Sequence, residues 1–97
     1  MELAVVNAIA SMVAAYPEVV EAHLPQCFVP NVMPQAAQIL VVVGEAADAS
    51  TKKRLGSEVS RILPKNSHLD VWWLTLNDSM LPWVRNAGCK LFERDRL

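Results

Sequence analysis

The chain has 97 residues, of which 53% are hydrophobic and 20% charged, with a formal net charge of −1. That length holds one domain and one core, so residues 1–97 are read as a single domain. The near-neutral balance without a basic run excludes a nucleic-acid footprint, and no apolar stretch is long enough to span a bilayer.

Residues 1–15 carry Leu3, Val6, Ala10 and Val13 at helical spacing, with Ile9, Met12 and Tyr16 widening the stripe. The segment is apolar enough to raise a secretion signal. Glu2, however, stands where such a signal carries Lys or Arg, and neither residue occurs before Lys52. A buried helix of the mature protein is expected, ended by Tyr16-Pro17 because the residue before Pro avoids the helical region.

Residues 19–29 read as an interrupted strand, with Val20, Ala22 and Leu24 facing one way and Val19, Glu21 and His23 the other. Pro25 removes a ladder donor, which predicts an edge strand or a bulged one. Residues 30–34, with two prolines, form a connection.

The next strand, 37–43, is the most informative segment. Ile39-Leu40-Val41-Val42-Val43 does not alternate with polar residues, so both of its faces should be dry. A domain this small rarely covers both faces of its own sheet. The surplus apolar face is therefore expected to point outward, towards a second copy or another protein domain.

Gly44 closes that strand. Asp48 or Ser50 then caps a second helix carrying Leu55, Val59, Ile62 and Leu63 on its dry face and Lys52, Lys53, Glu58 and Arg61 on its wet one. Pro64 stops it. Residues 69–76 form a strand rich in aromatic and β-branched residues. Asn77-Asp78-Ser79 caps a short helix, 80–87, with Pro82 in its first turn and Gly88 ending it in the left-handed conformation. Residues 89–94 make the last strand.

The order helix, strand, strand, helix, strand, short helix, strand gives an α+β fold. The expected form is a two-layer sandwich of a four-stranded sheet with two long helices and one short one, close to a permuted ferredoxin-like unit.

Chemistry-bearing residues are sparse. Cys27 and His23 are four apart, which on a straight strand separates them by about 13 Å, too far for a nucleophile and its base. His68 could approach Cys27 or Cys89 from a neighbouring strand, but no acyl-transfer motif surrounds either cysteine. His23, Cys27, His68 and Cys89 lack zinc-site spacing, and the single Gly44 makes no phosphate cradle. No catalytic residue, cofactor or metal is therefore assigned. Two cysteines without a pairing motif suit reduced thiols in the cytoplasm, with one Cys27–Cys89 bridge as the alternative.

Trp72 and Trp73 are adjacent on one strand and so point to opposite faces. One fills the core, and the other joins the surplus apolar face, where Trp makes an effective contact anchor. Stacking on a sugar or base is disfavoured because no basic residue flanks the pair. Trp83 is expected to pack on the sheet edge, and Glu93, Arg94, Asp95 and Arg96 to form a solvated charge cluster.

The opening helix running into Tyr16-Pro17-Glu18-Val19-Val20-Glu21-Ala22-His23-Leu24, the apolar strand 39–43, the strand 69–76 and the ending Lys90-Leu91-Phe92-Glu93-Arg94 resemble the C-terminal domain of the bacterial SseB family, named for enhanced serine sensitivity. The resemblance covers nearly the whole chain. It departs from the family in Leu91-Phe92, where a Pro-Phe-Tyr-type ending is usual; a second domain, which usually precedes this one in the family, is not expected here. It implies no catalytic residue.

The resulting expectation is a non-catalytic association domain that forms a homodimer, or docks on another protein domain, through Ile39, Val41, Val43, Trp72, Trp73 and Leu74. Neither nucleic acid nor membrane is an expected partner. The alternative is a regulatory domain binding a small ligand such as an amino acid, with Glu21, His23 and Asp70 as its polar groups.

Overall fold

The computed structural model describes residues 3–27, 37–45, 48–65 and 69–94, with 26, 27 and 37 described for their backbone alone. Among these, the elements run α1 (Leu3–Ala14), β1 (Val19–His23), β2 (Gln26–Cys27), β3 (Ala37–Gly44), α2 (Ala49–Ile62), β4 (Asp70–Leu74), α3 (Leu81–Asn86) and β5 (Lys90–Glu93). No described helix is long and apolar enough to cross a membrane.

β3 is the centre of the sheet. β1 pairs with it antiparallel, His23 opposite Val41, and β2 continues along the same edge with Gln26 opposite Gln38. β1 and β2 are thus one strand interrupted at Leu24-Pro25. Pro25 keeps the acceptor half of the ladder, its carbonyl taking the amide of Ile39 at 3.1 Å. β4 lies parallel on the other edge of β3, and β5 pairs antiparallel with the far side of β1. The sheet is four strands wide in the order β4-β3-β1-β5.

The α+β class and the element order are as expected. Of the two forms expected for β1 it takes the bulged one, an interior strand with register shifts between Val19 and Glu21 and between Ala22 and His23. One detail differs: β3 and β4 are direct neighbours joined by α2, a plain βαβ crossover. The ferredoxin-like arrangement splits that unit with an inserted strand.

α1 and α2 share one sheet face. Ile9, Met12 and Val13 of α1 meet Leu55 and Val59 of α2 over Ala22, Leu40 and Val42, with Val71 and Trp73 packed alongside. Asp48 opens α2 by accepting the Thr51 amide at 2.7 Å, and the Leu63 amide closes it on the Val59 carbonyl. Each fully buried Val, Leu or Ile contributes roughly 1.5–3 kcal/mol relative to exposure.

The opposite face is not bare. α3 folds back over it and sets Leu81 and Val84 against Ile39, Val41, Val43 and Leu74, with Val20 and Trp72 at the margin. This adds a partial third layer to the sandwich. It also overturns the expected contact surface, because Ile39 is 2% exposed and Val41 and Val43 are 0% exposed within a single chain. The physical reason is a six-residue helix whose two apolar contacts are too few to show a periodicity.

Two close approaches hold the frame. Gly44 lies opposite Val19, and a Cβ there would collide with the Glu18 carbonyl, so only glycine lets β3 and the start of β1 meet. Arg94 is no solvated charge. Its guanidinium donates to the carbonyls of Ala14, Tyr16 and Val19 at 2.9, 3.2 and 3.0 Å, satisfying backbone acceptors at the end of α1. Asp95 and Arg96 lie outside the described residues.

Candidate functional site

Two features of the α3 side stand out, a buried polar cluster and an exposed apolar strip. The cluster begins with Glu21 and His23, two apart on β1 and so on the same sheet face. His23 Nε2 lies 2.7 Å from Glu21 Oε2. Arg85, in the last turn of α3, then grips the same carboxylate from above. Its Nη2 donates to Oε1 at 2.6 Å and its Nε donates to Oε2 at 3.1 Å, a two-point contact.

The cluster is nearly dry on the sheet side, with Glu21 4% and His23 0% exposed, and wet on the helix side, where the Arg85 side chain is 46% exposed. Arg85 is the main reason the Glu21 carboxyl is held down to about 2, with His23 adding to the effect and burial opposing it. Against an ionised carboxylate, His23 Nε2 is the donor of that contact. Nδ1 is buried with no partner among the described residues.

Chemically this is a fastening. Both oxygens of Glu21 accept hydrogen bonds inside the fold. Of the residues considered for a ligand site, the structure brings Glu21 and His23 together, while Asp70 sits exposed at the start of β4. Nothing in the sequence marks Arg85 as a partner of Glu21. Its signal was a lone cation in the last turn of a short helix, ordinarily read as complementing the helix dipole.

The Cys–His arrangements do not assemble among the described residues. The side chain of Cys27 and all of His68 lie outside them. Cys89 is a free, half-buried thiol that donates to the Ala87 carbonyl at 3.3 Å, which removes the bridge to Cys27.

Both adjacent tryptophans are half-buried, one in each core. Trp73 joins the α1–α2 side, its indole Nε1 buried without a partner among the described residues, and Trp72 borders the α3 side. Neither is the bare outward tryptophan expected. Apart from Leu3, the large exposed apolar side chains among the described residues gather instead in the segment after β4. Leu76 is 37%, Met80 41% and Trp83 49% exposed, all within eight residues. Trp83 therefore does not pack away on the sheet edge; it sits on the outer side of α3 while Leu81 and Val84 face inward.

On the helical face, Ser11, Met12, Glu58, Arg61 and Ile62 line an open groove of about 450 Å³. Its carboxylate is already engaged, since the Tyr16 hydroxyl donates to Glu58 Oε1 at 2.8 Å. Burial and that carboxylate together hold the Tyr16 hydroxyl above its ordinary range.

No protein-family model, no curated protein and no solved structure matches this chain.

Proposed function

We propose that this domain acts by association, not by catalysis, and pairs with a second copy through the strip of Leu76, Met80 and Trp83 bordered by Trp72. The observation that supports this is the concentration of large exposed apolar side chains in one eight-residue stretch. Large apolar patches of this kind mark contact sites, and tryptophan is a favoured anchor. Met80 and Trp83 are three apart and so neighbours at the start of α3. The helix beneath them is fastened by Leu81, Val84 and the Arg85–Glu21 pair, so the anchor is presented on a rigid base.

The SseB-like reading belongs to the same proposal and brings no reaction with it. The free Cys89 thiol fits a reducing compartment such as the cytoplasm.

Sedimentation velocity at micromolar concentration tests the reading. A dimer is expected, and Trp83→Glu is expected to dissociate it while leaving the melting temperature within a few degrees, as for an exposed site. A wild-type chain that sediments as a monomer at every concentration overturns it.

A further inference from the structure

We infer that the outer side of α2 is a docking surface for an acidic amphipathic helix of another protein, laid along the groove between α1 and α2. This surface is separate from the α3 strip and does not depend on it.

The free cations of the fold gather there. Lys52, Lys53, Arg54 and Arg61 are exposed on α2, and no exposed carboxylate lies on α1 or α2. The one acidic residue of α2, Glu58, is half-buried and accepts the Tyr16 hydroxyl at 2.8 Å. On α3 and the sheet side the described cations are already engaged: Arg85 on Glu21, Lys90 on Glu93 and Arg94 on backbone carbonyls. Arg54 lies over the Tyr16 ring, 5.1 Å from its centre. Lys52, Lys53 and Arg61 meet no carboxylate among the described residues.

Folding does not account for these charges. Lys52 and Lys53 stand close to the N-terminal end of α2, where the helix dipole favours acids over cations. Lys53, Ser57 and Arg61 follow at four-residue spacing and form one row about 12 Å long. A partner helix with carboxylates four residues apart repeats every ~6 Å and matches that row. Arg61 also borders the groove of about 450 Å³ between Ser11 and Met12 of α1 and Ile62 of α2. Met12 and Ile62 offer an apolar seat there for a side chain of the incoming helix.

Charge selects the occupant. No described helix or strand of this chain carries two carboxylates, so a second copy offers no acidic row. Leu55 and Val59, the apolar side of α2, are buried in the core, which leaves that helix nothing to insert into a lipid surface. No aromatic is exposed on α1 or α2 for bases to stack on. An acidic helix needs none of these.

A synthetic helical peptide of about five turns, with Glu at four-residue spacing beside a stripe of Leu, tests the surface. Its counterpart carries Lys in place of Glu. The acidic peptide should shift amide NMR signals of Ser11 and of residues 52–62 in the wild-type chain, and the basic one should not. Affinity should fall roughly ten-fold or more in the double variant Lys53→Glu, Arg61→Glu, and should weaken on raising NaCl from about 20 to about 200 mM. Both positions are exposed, so the melting temperature should stay within a few degrees. Should the charge reversal disturb folding, Lys53→Gln with Arg61→Gln should still weaken binding. Trp83→Glu should bind the peptide as the wild type does, and loss of binding there would move the contact to the α3 strip and overturn the inference. Equal binding of the two peptides, or undiminished binding by both double variants, overturns it as well. Tighter binding of a single-stranded oligonucleotide or of phosphatidylserine vesicles than of the acidic peptide does the same.

Discussion

Arg85 and Glu21 are 64 residues apart in the chain and meet in a two-point contact of 2.6 and 3.1 Å that fastens α3 to the middle of the sheet. The carboxylate is buried and the guanidinium half in water, so the pair joins a dry interior to its surface. The fastening matters beyond one ion pair, because α3 is what keeps Val41 and Val43 from solvent.

Arg85→Met keeps the aliphatic stem and removes the charge. Glu21 is left buried with only His23 as a partner, and the expected loss is roughly 1–3 kcal/mol, limited by water reaching the vacated side. Urea unfolding checks this, and Glu21→Gln with Arg85→Met should cost less than the sum of the two single changes.

Acid should loosen the same contact. The folded Glu21 carboxyl titrates at about 2 against an ordinary value of 4.5. Its value is lowered by folding, so its stabilising contribution is complete above about 4.5 and is lost as pH falls towards 2. Urea midpoints across that window should fall more steeply for the wild type than for Glu21→Gln.

Leu81→Ala removes a side chain that is 1% exposed over the second sheet face. The expected cost is about 2–5 kcal/mol from lost burial and the cavity left behind. A domain of this size then melts well below the wild type, since each kcal/mol is worth about 4–8 °C. A melting temperature within 2 °C of the wild type, on that same scale, would show that α3 does not seal the sheet.

Gly44→Ala adds one methyl group and drives it into the Glu18 carbonyl, backbone against backbone. Neither partner is a flexible side chain, so β1 and β3 must separate locally. Overpacking of this kind costs about 1–3 kcal/mol or more, readable by thermal unfolding. Gly56→Ala is its control, because a Cβ there meets nothing and helix propensity improves.

Much of this fold can be read from the chain. The dry run 39–43 announces a central strand, and Asp48 and Gly88 behave as their types suggest, Gly88 adopting φ 69°. The second dry face was also legible from the missing alternation. What covers it was not, because α3 has six residues and shows its purpose only through Leu81 and Val84. Arg85 and Arg94 were equally opaque. Each looks like any surface cation until tertiary contacts 64 and 80 residues away give it a carboxylate or a carbonyl to hold.

Arg94 sets a condition on the order of folding. At its end α1 has a carbonyl, that of Ala14, whose side-chain donor is synthesised 80 residues later. At translation rates of about 5–20 residues per second, the newborn helix waits on the order of 4–16 s for its clasp. Until then the growing polypeptide exposes the greasy side of α1, and chaperone occupancy should be greatest in that interval.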